Sequence, residues 1–299
     1  MNRIPVTLEI AAVTDIGQKR SSNQDNFFVN NCYIDHSDIL AERFDAVASM
    51  AAHVMAVCDG MGGQADGDIA ALIGVSTVSE YAGRFDDAYS PEETARLAKK
   101  LIRDANNRVL ERGESNGRKM GSTISMLVVT SKFVYACNVG DSEIYHKHQY
   151  GIERLSKPHT VAQELVDVGA ISEYQASRSY RRNQLSQYLG MESPRILKHN
   201  EAFTTVHSGD MLLICSDGIS DVLPDHSIYA SLSSSRPVSD IADAIVEKAL
   251  RKGSGDNLTV VIARVLDDGH MARLKRRLAM ILGAVAGIAA FVAILLNLL

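Results

Sequence analysis

The chain has 299 residues, enough for one large domain or two modest ones around a filled core. Its 46% apolar and 22% charged content is that of a globular protein and excludes a largely disordered chain. The formal charge of −5 is uneven: residues 271–299 hold Arg273, Lys275, Arg276 and Arg277 and no acid, so the rest is more acidic still, which excludes nucleic acid as the main partner and suits a site that gathers carboxylates around divalent cations.

No signal peptide is expected at the N-terminus, where Pro5 and Glu9 interrupt any apolar stretch. Residues 33–53 fit neither a helical nor a strand pattern and read as a loop or a short helix. Val54 to Cys58 reads as a strand ending in Asp59-Gly60. Asp68 to Tyr81 shows apolar residues at helical spacing. A second helix is expected over Pro91 to Arg112, with Ser90 as cap and Leu97, Leu101, Ala105 and Val109 as its apolar stripe. Ile124–Thr130 and Phe133–Val139 read as a strand pair turning at Ser131-Lys132, and Gly140-Asp141 follows. Met211 to Cys215 is another strand, ending in Ser216-Asp217-Gly218. A third helix spans about Ser239 to Arg251 with Gly253 as its stop, and Leu258 to Val265 is a strand opened by Gly255-Asp256-Asn257. Continuous apolar runs of this kind suit strands covered on both faces, so sheets with helices on their outer faces are expected. Cys58, Cys137 and Cys215 lie inside such runs, no C-x-x-C pair occurs, and buried reduced thiols are expected.

The last 21 residues, Ala279 to Leu299, carry no charge. As a helix they would reach about 31 Å, the thickness of a bilayer core. The basic run 273–277 just before them keeps to the cytoplasmic side, so a single-pass inner-membrane protein with a cytoplasmic N-terminal portion is expected. Gly283 and Gly287, one turn beyond Ala279, would let two such helices approach closely as a homodimer.

Four strand-like runs thus carry an aspartate beside a glycine or asparagine. Asp-Gly is a common turn dipeptide, so one instance says little. Several converging carboxylates, however, repel one another unless cations bind between them. Hard divalent ions favour oxygen ligands, two of them can activate a shared water, and an arginine fork suits a phosphate. Gly60 to Gly67 is glycine-rich but lacks the Gly-Lys-Ser/Thr ending of a nucleotide-binding loop.

At this point the residues resemble a known family. Gly17-Gln18-Lys19-Arg20-Ser21-Ser22-Asn23-Gln24-Asp25, Asp59-Gly60-Met61-Gly62-Gly63, Gly121-Ser122-Thr123, Asn138-Val139-Gly140-Asp141-Ser142, His159-Thr160, Arg182-Asn183-Gln184-Leu185, Leu189-Gly190, Cys215-Ser216-Asp217-Gly218 and Gly255-Asp256-Asn257-Leu258-Thr259 are similar to the motifs of the metal-dependent protein phosphatases of the PPM, or 2C, family. They stand in family order over about residues 10–265. The resemblance implies an α+β fold of two packed antiparallel β-sheets flanked by α-helices on both sides, an α-β-β-α sandwich. It implies hydrolysis of phosphoserine and phosphothreonine in proteins with two Mn²⁺ or Mg²⁺ ions, and a third, weaker ion in bacterial members. Carried over residue by residue, Asp59 would bridge the two ions with the Gly60 carbonyl beside it. Asp217 and Asp256 would bind one side, Asp25 would support the other, Arg20 would hold the substrate phosphate, and Asp141 would help bind the third ion. The segment from about Val161 to Gln184 would be a flap over the site, and His159 is expected to be structural.

Three positions depart from the family pattern. Gln24 replaces a frequent glutamate, Met61 a histidine of many eukaryotic members, and Glu143 a frequent arginine. Methionine at 61 fits a bacterial member. Gln24 and Glu143 are the support for an alternative reading, a membrane-tethered pseudophosphatase that binds phosphoproteins or a kinase without turnover. The expected organisation is a catalytic domain over 1–268, a basic juxtamembrane segment over 269–278 and a transmembrane helix over 279–299. Expected partners are phosphorylated proteins near the membrane and an opposing serine/threonine kinase.

Overall fold

The computed structural model describes residues 4–269, apart from 37, 38, 63–65, 89 and 193–196, together with Lys275. Strands β1 (Val6–Asp15), β4 (Ala41–Met50), β9 (Glu143–His148), β10 (Gly151–Arg154), β12 (Met211–Cys215) and β13 (Leu258–Asp267) form one sheet. Its order among the described residues is β10-β9-β12-β13-β1-β4. Strands β2 (Asp25–Val29), β3 (Cys32–Tyr33), β5 (Ala52–Gly62), β7 (Ile124–Thr130), β8 (Val134–Val139) and β11 (Asn200–Thr204) form the other, in the order β11-β8-β7-β5-β2-β3. The short β6 (Met120–Ser122) also pairs with β5. The pairings in both sheets are antiparallel.

The period-two geometry of a strand explains the layers. Along β1, Val6, Leu8, Ile10 and Ala12 enter the core between the sheets, where they meet Phe27, Met55, Val57, Leu127, Ile214 and Val261. Ala11 and Val13 point the other way, into a second core under the outer helices. Helices α5 (Asp217–Ser220), α6 (Asp225–Leu232) and α7 (Val238–Arg251) cover that face, with Ile228, Ile241 and Ile245 against Leu213 and Val260. On the opposite side α1 (Gly67–Ala82) and α2 (Pro91–Asn116) set Val75, Val78, Leu101 and Ala105 on Val54, Ala56 and Tyr135. The result is two antiparallel sheets flanked by helices, as the resemblance implied.

Ser90 caps α2 by accepting from the Glu93 N–H at 3.2 Å, and the helix runs past Arg112 to a left-handed Gly117. Among the buried strands, β5, β7, β8, β12 and β13 contain the apolar runs read from the sequence, whereas β1, β2 and β9 have no counterpart in that reading. Cys58, Cys137 and Cys215 are buried free thiols while Cys32 is exposed. One reading is corrected. Residues 33–53, expected as a loop or short helix, contain the ten-residue strand β4. It is an edge strand held by β1 in an unbroken register from Val6 opposite Met50 to Asp15 opposite Ala41. Its outer residues, Arg43, Asp45, Val47 and Ser49, are exposed, and on its inner side Glu42 is exposed while Phe44, Ala46, Ala48 and Met50 are half-buried. With two alanines on the inner side the hydrophobic alternation is faint, and pairing with β1 decides the conformation.

Residues 161–184 form an excursion containing α3 (Val161–Asp167) and α4 (Glu173–Ser177). Its base is closed by a bridge between Thr160 and Leu185 and by Val161 N donating to the Gln184 carbonyl at 2.8 Å. The expected membrane helix at 279–299, with its Gly283/Gly287 face, lies outside the described residues, as does most of the basic segment before it. Among the described residues no helix is long and apolar enough to cross a membrane.

Candidate metal centre

The strands deliver five aspartates to one end of the sandwich. Asp25 opens β2 and stands directly across from Asp59 near the end of β5. Asp141 follows β8 by way of Gly140, whose φ of 103° supplies the turn. Asp217 opens α5 just beyond β12, and Asp256 lies two residues before β13. Three of these acids therefore come from one sheet and two from the other. The glycines beside two of them are forced by close backbone approach. A Cβ on Gly60 would lie 1.9 Å from the Gly67 carbonyl oxygen, and one on Gly218 would lie 1.9 Å from that of Asn257.

Asp59, Gly60, Asp141, Asp217, Asp256 and Arg20 share the wall of an open cleft of about 480 Å³. Asp25 lies behind it, 2% exposed, with one carboxylate oxygen accepting from the Ser216 hydroxyl at 2.7 Å. Asp59, Asp141 and Asp217 keep part of their surface on the cleft, yet the protein around them withdraws water from their charged forms. Burial pushes Asp25 up to about 6, against the hydrogen bonds from Ser216 and Thr259, with Asp256 adding repulsion. Burial, and after it the charges of Asp221 and Glu143, push Asp141 up to about 7. Asp59 and Asp217 are held well above the carboxylate range, first by burial and then by their acidic neighbours.

This arrangement fits divalent cations. The donors are hard oxygens, their charges repel, and the buried Oδ1 of Asp217 has no hydrogen-bond partner. No three carboxylate, imidazole or thiol groups among the described residues meet as a ready-made cluster. Hard ions that retain several waters do not need one. Arg20, assigned above to the substrate phosphate, pairs instead with Asp256 at 2.6 Å, which raises the affinity of its guanidinium for its proton. Half of its side chain remains open to the cleft.

Sequence reasoning assigned no role to the residues that hold the aspartates. The Asn257 side chain donates to the Ile16 and Ser22 carbonyls at 2.9 and 3.0 Å and accepts from Gln24 N at 2.9 Å, so it pins the loop that carries Arg20. Thr123 binds both sides of the Asp59 backbone, its hydroxyl accepting from Asp59 N at 3.0 Å and its own N–H donating to the Asp59 carbonyl at 2.8 Å. Both residues sit inside the motifs quoted above, next to an acid or a glycine turn, and that adjacency was the available signal. The departures also find places. The Gln24 carbonyl accepts from Gly60 N at 3.0 Å, and its side chain packs on Gly67 at the start of α1. Met61 lines the cleft. Glu143 is buried and answered by Arg154 at 2.6 Å and by the Tyr145 hydroxyl. His159 accepts from Gly140 N at 3.2 Å, and burial pushes it down to about 4, so it is a neutral structural ring.

Residues 42–258 match the family model for protein phosphatase 2C. The serine/threonine phosphatase stp of Listeria monocytogenes is 30% identical over 213 residues, 70% of this chain and 83% of that protein. The serine/threonine phosphatase of S. agalactiae superposes with a TM-score of 0.73 at 27% identity, over 86% of this chain and 99% of that one. The catalytic domain of the serine threonine protein phosphatase PstP in complex with two manganese ions superposes with a TM-score of 0.70 at 25% identity, over 88% of this chain and all of that one. With the motifs, the two-sheet architecture and the gathered aspartates, these likenesses show that the chain belongs to the protein phosphatase 2C family.

Proposed function

We propose that the chain is a metal-dependent protein serine/threonine phosphatase, hydrolysing phosphoserine and phosphothreonine esters with two Mn²⁺ or Mg²⁺ ions. The observation that carries this reading is the convergence of Asp25, Asp59, Asp217 and Asp256 from two sheets on one cleft, with a buried carboxylate oxygen of Asp217 left without a partner. Asp59, Asp217 and Asp256, with the Gly60 carbonyl, would hold the ions, Asp25 would support them from behind, and Asp141 would help hold a third. When bound, the ions supply a water of lowered pKa and positive charge against the phosphoryl oxygens.

The rest of the work falls to this chain. Arg20 turns from Asp256 to grip two phosphate oxygens, as a planar fork can. Asn257 and Thr123 keep the Arg20 loop and the Asp59 backbone from drifting, so positioning is built in before substrate arrives. The cleft is open enough for a phosphorylated side chain on a protein surface. Gln24 and Glu143, on which the pseudophosphatase alternative rested, remove none of the five aspartates.

Mn²⁺-dependent phosphate release from a phosphothreonine peptide tests the reading, with Asp217→Asn beside the wild type. Turnover should vanish on chelation and fall by about 10²–10³ in the variant, the scale of losing a charge-stabilising group. A folded, Mn²⁺-loaded wild type without turnover on any phosphopeptide would return the pseudophosphatase to favour.

The division into a catalytic domain over 1–268, a basic segment and an anchor at 279–299 belongs to the same proposal. Its support is the uncharged run and the basic residues before it. On that reading the enzyme faces the cytoplasm at the inner membrane, opposes a serine/threonine kinase there, and pairs through Gly283 and Gly287. Fractionation of cells expressing chains with and without residues 273–299 tests the placement; equal solubility of the two would remove it.

A further inference from the structure

The excursion at 161–184 differs in surface from the body it leans on. Tyr174 is 66% and Tyr180 87% exposed, so two aromatic faces of the excursion are available to a partner. Each carries an arginine: the Arg178 guanidinium lies 4.8 Å from the Tyr174 ring centre, and that of Arg181 lies 5.3 Å from the Tyr180 ring, with its Nε donating to the Tyr180 hydroxyl at 2.8 Å. Neither arginine enters an ion pair among the described residues, whereas the adjacent Arg182 leans toward Asp221 at 3.6 Å. From 173 to 184 Glu173 is the one acid in the sequence. Two uncompensated cations, held by aromatic faces, thus project from an otherwise acidic protein.

Their position says what they meet. The chain runs from Arg181 through Arg182 directly into Asn183 and Leu185, which line the aspartate cleft. A partner touching both surfaces at once is the substrate itself. Tyrosine and arginine are the residues that interfaces concentrate, because they bring large area or a planar fork with little ordering cost. Guanidinium forks match carboxylates and phosphates. Resting on the phosphatase reading, we propose that Arg178 and Arg181, each stacked on its tyrosine, form a docking surface for an anionic stretch of the substrate protein, carboxylate- or phosphate-bearing residues flanking the phosphoresidue in the cleft.

The test uses the full chain in neutral detergent with Mn²⁺, beside an Arg178→Ala/Arg181→Ala double variant. The substrates are p-nitrophenyl phosphate and three phosphothreonine peptides whose flanks are neutral, glutamate-rich, or carry a non-hydrolysable phosphonate. The wild type should show a KM about tenfold lower for the anionic flanks than for the neutral one, the scale of two exposed charge pairs. In the double variant, and in the wild type at about 0.5 M salt, that preference should shrink to within about twofold, with turnover of p-nitrophenyl phosphate and kcat on the neutral peptide unchanged. Comparing the glutamate and phosphonate flanks tells whether carboxylates suffice or phosphate is favoured. Equal KM values across flanks in the wild type, or a preference that survives in the double variant, would overturn the proposal. So would loss of binding to anionic lipid vesicles in the double variant with flank preference unchanged, which would give the surface to a membrane. Absence of turnover on p-nitrophenyl phosphate and all peptides would instead sink the phosphatase reading.

Discussion

The aspartate end of the sandwich and the 161–184 excursion stand side by side and are built on opposite terms. At Asp59 both the backbone N–H and the carbonyl are bonded to Thr123, two glycines are dictated by approaches that leave no room for a methyl, and the supporting Asn257 side chain is bonded on three sides. The excursion has two short helices, mostly exposed side chains and few tethers, among them the Thr160–Leu185 bridge, Lys157 to Asp167 at 2.7 Å, and Asn183 and Arg182 to Asp221 at 2.7 and 3.6 Å. Charge that must be held against its own repulsion needs a rigid frame, whereas a surface that meets varied partners needs only a base.

Substitutions should reproduce that contrast. Gly60→Ala is expected to cost about 3 kcal/mol or more, or to prevent folding, because its methyl would overlap the Gly67 carbonyl; denaturant unfolding measures it. Asn257→Ala removes three hydrogen bonds at one buried point and should cost about 2 kcal/mol, with loss of activity as the Arg20 loop drifts. A full-strength Asn257→Ala enzyme would break the claim that the frame is fixed by this clamp.

The aspartate end should also respond to pH where the excursion does not. Asp25 and Asp141, at about 6 and about 7, hold their protons more tightly in the folded protein than in the unfolded chain, where carboxylates titrate near about 4. Their contribution to stability is complete below about pH 4 and is lost as pH rises toward about 7. In chelator the unfolding midpoint should therefore be a few degrees lower, about 3–6 °C, at pH 7.5 than at pH 5. Mn²⁺ should restore more at the higher pH, since it favours the deprotonated forms. A midpoint that rises from pH 5 to 7.5 in chelator would contradict the charge picture. Smallest of all, Asn183→Ala should change global stability by under about 0.5 kcal/mol, as exposed substitutions do, while limited proteolysis within 161–184 speeds up.

The same contrast governs what could be read before the structure. β12 was legible residue for residue because an apolar run buried on both faces admits few other conformations. Asp59, Asp141, Asp217 and Asp256 were legible because each stands beside such a run, whereas Asp25, which opens β2, was assigned through the family resemblance alone. β4 was not, since its inner face carries two alanines and its conformation depends on β1, whose paired residues lie 26 (Asp15 and Ala41) to 44 (Val6 and Met50) positions away in sequence. Nor was the Arg20–Asp256 pair, which joins residues brought together only when β1 and β13 align. Local pattern reveals what a segment buries; it does not reveal which distant segment it meets.

That alignment of β1 with β13 has a consequence for how the protein comes into being. Thr7 sits opposite Asp267, so the first described strand is completed by the last, and Asp256 arrives with it. During synthesis the strands that carry Asp25 and Asp59 and lead to Asp141, β2, β5 and β8 with β7 between the last two, are complete at Val139, well before Asp217 and Asp256 have been made. The most repulsive grouping in the molecule is thereby postponed to the final closure. A nascent chain that has not reached Asp217 lacks two of the five acids at its cleft, and the capacity to act on phosphoproteins matures in one step, when the ends of the sandwich meet.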